Sequence, residues 1–176
     1  MAQGIDTYGD FKTSVAEPDF QEFMADNGNL RKAWHCAGSL FHLHDWVYGA
    51  HKTSIDAKYT YKDDGGITQP VTRAEHFANS LGQAHPDFQL IRGIANASKH
   101  FSLRTPPPGR KDPPGMPSHA ANTYVVGTVF QPGVFQSNAF QVGDVMLAAS
   151  PNDLLFSDIA QSVMNMWNQL FKTEGW

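Results

Sequence analysis

Arg92, Asn96 and His100 stand at i, i+4 and i+8 within the stretch from Leu90 to Leu103. At about 100° per residue this spacing puts the three on one polar stripe of a helix, apart from the apolar stripe of Ile91, Ile94, Ser98 and Phe101. Their types are complementary. An arginine fork binds phosphate or carboxylate through two parallel hydrogen bonds, an asparagine amide both donates and accepts, and a histidine titrates near neutrality. Arg92 could stabilise charge developing on a phosphate while His100 acts as general acid or base. Lys99 and Arg104 add positive charge nearby, enough for a local anionic-ligand site. The same residues also suit a solvated helix face on which Lys99, His100 and Arg104 complement the dipole at the C-terminal end. Both readings stand at this point.

Eight histidines raise a second chemistry, metal binding or general-base work. His35, His42, His44 and His51 share one helical stretch, but the spacing divides them. His44 and His51 follow the edge of the apolar face, whereas His35 and His42 share another face with Trp46. A zinc site on one helix takes ligands at i and i+3 or i+4, and His42 with Asp45 is the pair that fits. Further ligands would come from His76, His85 or His100, so a metal centre built on His42 or His44 with His100 is an alternative. Otherwise His44 is a core or boundary histidine bonded to a neighbour, and His35 and His42 are mostly wet. Cys36 adjoins His35 but points about 100° away and borders the buried face, which argues against a thiolate nucleophile. No GxSxG elbow, Walker loop or dinucleotide fingerprint occurs, and no cofactor is implied.

The elements that must position these residues follow from the hydrophobic period. A short helix is predicted from about Pro18 to Ala25, stopped by Asn27 and Gly28. Asn29 is placed to cap a long helix from Leu30 to about Lys52 with an apolar face of Leu30, Ala33, Trp34, Ala37, Leu40, Phe41, Val47 and Tyr48. Residues 53–70 read as a loop with a turn at Asp63, Asp64, Gly65 and Gly66, and Tyr59 to Tyr61 briefly extended. Thr72 and Glu75 have capping-box spacing for a helix ending at Gly82, and Pro86 opens the helix that carries Arg92. The segment from Thr105 to Pro117 holds six prolines and two glycines, so residues 105–121 are predicted to form a proline-rich surface loop. Residues 123–130 and 140–149 then read as an antiparallel hairpin of two or three strands around Pro132 and Gly133. Ser150, Pro151 and Asp153 signal the start of a closing helix that runs to near Lys172.

Together these elements predict a mainly α fold, α+β by strict count. It is an antiparallel bundle of about four main helices, with a small β-hairpin before the C-terminal helix. The predicted core includes Trp34, Phe41, Tyr48, Phe77, Ile91, Ile94, Phe101, Leu155, Ile159, Val163 and Trp167. The chain has 176 residues, of which 41% are hydrophobic. It reads as a single domain over 1–176, large enough to bury a core. A net charge of −4 offers no global field for nucleic acid. One cysteine fits a reducing compartment, and the lack of a leader or of about eighteen consecutive apolar residues predicts a cytoplasmic chain with no membrane span.

The segment Ala95 to His100, ANASKH, resembles the signature helix of the HEPN superfamily. These are small helical-bundle domains that often dimerise and often act on RNA in toxin–antitoxin and phage-defence systems. In that family an arginine is commonly followed by a polar residue, often asparagine, and then by a histidine. Asn96 and His100 match the last two. Ala95 occupies the arginine position, and Arg92 lies a turn earlier, its charge displaced by about 4 to 5 Å along the helix. The resemblance implies a bacterial or phage HEPN-like domain, non-catalytic given that displacement, which binds RNA, a nucleotide or a protein partner through the stripe and forms a homodimer. The alternative it implies is a metal-independent ribonuclease with Arg92, Asn96 and His100 as catalytic residues.

Overall fold

The computed structural model describes residues 4–99, 123–125, 144–148 and 153–176, with backbone alone at 98, 99, 124 and 125. The fold is mainly α with small antiparallel strand pairs. Helix α1 (Tyr8–Phe11) begins at a capping box: Asp10 N–H donates to Thr7 Oγ1 at 3.1 Å, and Thr7 N–H donates to the Asp10 carboxylate at 3.0 Å. The chain stays helical through a π-helical stretch at Lys12–Ala16 into α2 (Glu17–Met24), and Pro18, which lacks an N–H, follows directly on that widened turn.

Helix α3 (Leu30–Lys58) is the central element, flanked by α1, α2, α4, α5 and α6. The Asn29 side chain caps it by accepting from Lys32 N–H at 3.3 Å, as its position in the sequence predicts. The expected end near Lys52 corresponds to a local break. His51 leaves helical geometry at φ −119° and ψ 23°, after which the helix resumes to Lys58. Ile55 anchors the continuation in the core, and Asp56 holds it by accepting from the Tyr48 hydroxyl at 2.8 Å and pairing with Lys52.

Part of the stretch read as a loop is a hairpin. Strand β1 (Thr60–Lys62) pairs antiparallel with β2 (Thr68–Pro70), Tyr61 opposite Gln69. The turn lies where the Asp and Gly residues place it. Asp63 Oδ1 accepts from the N–H groups of Gly65 and Ile67, and Gly66 takes the left-handed conformation at φ 77°. Helix α4 (Ala74–Ala84) lacks the predicted capping box: Arg73 stands at the N-cap with no side-chain cap, Thr72 Oγ1 lies 3.2 Å from His76 Nδ1, and Glu75 pairs with Arg73. The helix also runs through Gly82, where a Cβ would come within 2.4 Å of Gln89 Oε1. That atom is the flexible end of the Gln89 side chain on α5 (Pro86–Lys99), the helix that opens on Pro86 as predicted.

Strands β3 (Thr123–Val125), β4 (Val145–Leu147) and β5 (Leu154–Leu155) form an antiparallel sheet in that order, with Tyr124 opposite Met146 and Leu147 opposite Leu154. It is fastened to the turn between α2 and α3, where Val145 N–H donates to the Asn27 carbonyl at 3.0 Å and the Asn27 amide bonds the Asp144 carboxylate. The closing helix α6 (Phe156–Glu174) starts later than Ser150 and Pro151 suggest, because residues 154–155 pair with β4 instead. Leu155 is therefore 37% exposed on the sheet rather than in the core. Trp34 is half-buried against the core rather than within it, and its indole Nε1 is buried without a hydrogen-bond partner among the described residues. Phe41, Tyr48, Phe77, Ile91, Ile94, Ile159, Val163 and Trp167 are buried as predicted. Phe101 and the proline-rich segment lie outside the described residues.

Trp167 ties the layers together. Fully buried, it donates its indole N–H to the Leu40 carbonyl at 3.0 Å and meets Phe88 edge-on at 5.9 Å. Trp167→Phe should destabilise the protein by about 2 kcal/mol through the lost hydrogen bond and the void left by the smaller ring. Urea unfolding followed by circular dichroism measures this, and a change under about 0.5 kcal/mol, the range of an ordinary surface substitution, would contradict it.

Candidate functional site

The described part of the polar stripe lies on α5, beside the face that packs on α3. Phe88 and Arg92 are one turn apart, and the Phe88 ring meets the ring of His44 on α3 edge-on at 6.4 Å and 82°. Arg92 Nη1 donates to Asn79 Oδ1 on α4 at 2.6 Å, which fixes the guanidinium at the junction of three helices. Asn96, half-buried, follows one turn later. Lys99 closes the described part of α5 with its backbone alone, and His100 and Arg104 fall outside the described residues.

On α3 the structure joins His42 and His44 through Asp45. His42 Nδ1 lies 3.0 Å from Asp45 Oδ2, and His44 Nε2 lies 3.3 Å from Asp45 Oδ1. His44 is buried and places Nδ1 at 2.6 Å from the Phe41 carbonyl. A carbonyl can only accept, so Nδ1 carries the proton in the neutral ring. His44 is thus a core histidine bonded to a neighbour, one of the two environments its spacing suggests, while His42 is half-buried and His35 exposed.

Electrostatics at this junction oppose one another. Burial pushes the His44 pKa down, and the nearby charges of His42 and Arg92 act in the same direction, against the Phe41 carbonyl and Asp45. Arg92 is therefore close enough to bias the protonation of His44, although neither its spacing nor its helix links the two in sequence. Of the remaining metal-ligand candidates, His76 accepts from Arg73 Nε at 2.7 Å and contacts Thr72, and His85 is exposed at the end of α4. Among the described residues no group of three His, Cys, Asp or Glu side chains is arranged to hold a metal ion. The alternative set that adds His100 to His42 or His44 reaches outside those residues.

Two functional features escape sequence reasoning. Asn79, which positions Arg92, lies thirteen residues away on another helix and carries no local signal. The second carboxylate contact of Asp45, to His44, joins adjacent residues that ideal helical geometry points apart. Cys36 is buried, and burial, reinforced by the charge of Asp19, raises its thiol pKa far above the usual range. The sequence-based argument against a thiolate nucleophile agrees with this environment.

Two outcomes test these environments. The folded state holds His44 with a lowered pKa, so the unfolded chain takes up this proton first. The stability contributed by the neutral ring is complete above about pH 6.5 and is lost as pH falls below it toward the folded-state value. Urea midpoints measured from pH 7.5 to 5 should fall, and His44→Gln should flatten that profile; an unchanged slope in the variant would contradict the assignment. Cys36 should resist iodoacetamide in the native protein and react only as fast as the core opens. Rapid native alkylation would show an accessible thiolate.

No helix of the described residues is long and apolar enough to cross a membrane. Comparison with known proteins adds no relative to this geometry, for no family model, curated protein or solved structure matches the chain.

Proposed function

We propose that this chain is a HEPN-like helical domain that binds RNA or a nucleotide through phosphate contacts at Arg92, without cleaving it. The observation that carries the reading is the guanidinium of Arg92, fixed by Asn79 at the junction of α3, α4 and α5. A cation already oriented by a neighbour loses less freedom when it engages a phosphate, and arginine suits that ligand geometrically. Asn96, one turn along, would add a donor or acceptor to the same ligand. The mainly helical architecture is compatible with the resemblance carried by Asn96 and His100. Homodimerisation belongs to the same reading, supported by Leu154 and Leu155, each 37% exposed on the terminal strand of the described sheet.

Fluorescence anisotropy with a labelled single-stranded oligouridylate tests this function, with a gel of the same RNA to detect cleavage. The expected result is salt-sensitive binding, intact RNA, and a loss of about ten- to a hundredfold in affinity for Arg92→Ala with an unchanged circular dichroism spectrum. Equal affinity in wild type and variant would remove Arg92 from the site. RNA cleavage abolished by both Arg92→Ala and His100→Ala would instead establish the metal-independent ribonuclease.

A further inference from the structure

His44 is a buried ring whose two nitrogens each face an acceptor. Nδ1 lies 2.6 Å from the Phe41 carbonyl, and Nε2 lies 3.3 Å from Asp45 Oδ1. A neutral imidazole carries one N–H, and the carbonyl takes it. Nε2 is then left unprotonated beside a carboxylate oxygen. A second proton would turn that contact into a charge-assisted pair and leave the carbonyl bond in place. The acceptors around the ring therefore suit an imidazolium.

Burial and neighbouring positive charge withhold the second proton. Among the described residues, the charged groups that act on His44 are Asp45 and His42 from its own helix and Arg92 from α5. Asp45 favours the proton, whereas His42 and Arg92 oppose it. From α4 the uncharged Asn79 reaches the junction and fixes the Arg92 guanidinium. Phe88 lies edge-on to the imidazole, one turn before Arg92 on α5. Water and salt screen charges less where one partner is buried in this way. Of the two opposing charges, that of Arg92 is the one a bound phosphate would offset.

We propose that phosphate binding at Arg92 is coupled to uptake of a proton by His44, so that the site holds RNA more tightly as pH falls. Resting on the phosphate reading of Arg92, this coupling would regulate the same site by pH. With the guanidinium charge offset by an anion, the proton enters at Nε2, between the imidazole and Asp45. A ligand that strengthens proton binding at His44 is itself bound more tightly, by the same factor, once His44 is protonated. The gain develops as pH falls from neutrality toward the lowered folded-state value of His44.

NMR titration of the His44 ring in the full chain from pH 7.5 to 5 tests the coupling, first without RNA. His44 should titrate at higher pH in Arg92→Ala than in the wild type, because an opposing charge is gone. Saturating wild-type protein with an oligouridylate lacking terminal phosphates, which has no group titrating in this range, should move the His44 titration in the same direction. Fluorescence anisotropy should show affinity for that RNA rising about fivefold more between pH 7.5 and 5.5 in the wild type than in His44→Gln, the low end of ordinary coupling between sites. Parallel pH profiles in the two proteins, or a His44 titration left in place by RNA that binds, would overturn the coupling while the phosphate reading stands. An unmoved His44 titration in Arg92→Ala would overturn it with no ligand involved. RNA that binds at no pH would remove the phosphate reading and the coupling together. If His44→Gln does not fold, the two ring titrations still decide the matter.

Discussion

The fit of one indole into the space between two helices underlies the rest of the structure. Trp167 brings the largest side chain of α6 fully into the core, and its N–H would be an expensive buried donor without a partner. The Leu40 carbonyl accepts it in the middle of α3. Because the bond is directional, it sets the rotation and the height of α6 along α3 as well as their proximity. Phe88 meets Trp167 edge-on, so the position of α5 depends on the same residue. Phe88 also meets the ring of His44, and Arg92 lies one turn beyond it. The placement of the candidate phosphate-binding cation is thus linked to the core by a short chain of ring contacts.

The candidate site shares its helix with that core. α3 buries Leu40, Leu43 and Val47 on one side and presents His42, Asp45 and Gly49 toward the other, with His44 buried between them. A buried histidine so placed feels both environments. Burial disfavours its charge, while the carbonyl and carboxylate at its two nitrogens favour it, and burial is the larger influence. Asp45 links the two regions, since its carboxylate contacts both exposed-side His42 and buried His44.

The sequence made the helices legible where period and capping agree. Asn29 before an apolar period marks the start of α3, and Pro86 marks the start of α5, because both signals act within one turn of chain. Tertiary demands override local signals elsewhere. Ile55 and Asp56 carry α3 past the break at His51, and Leu154 with Leu155 join the sheet, which delays α6 despite the strong helix-start composition at Ser150 and Pro151. At the candidate site, residue types and their helix were readable, as were the His42–Asp45 pair and the core-or-boundary character of His44. The Asn79 bond to Arg92 was not, because it depends on how α4 packs beside α5.

The proposed phosphate ligand docks where α5 meets α3 and α4. The most direct measurement is a two-dimensional NMR titration of isotope-labelled protein with a short oligouridylate, following backbone amides and arginine and asparagine side chains. Docking at this junction should give shift changes that saturate and centre on Asn79, Arg92 and Asn96, with a smaller response at His44 through the changed charge of its surroundings. Saturating changes centred elsewhere, with Asn79 and Arg92 unmoved, would contradict it.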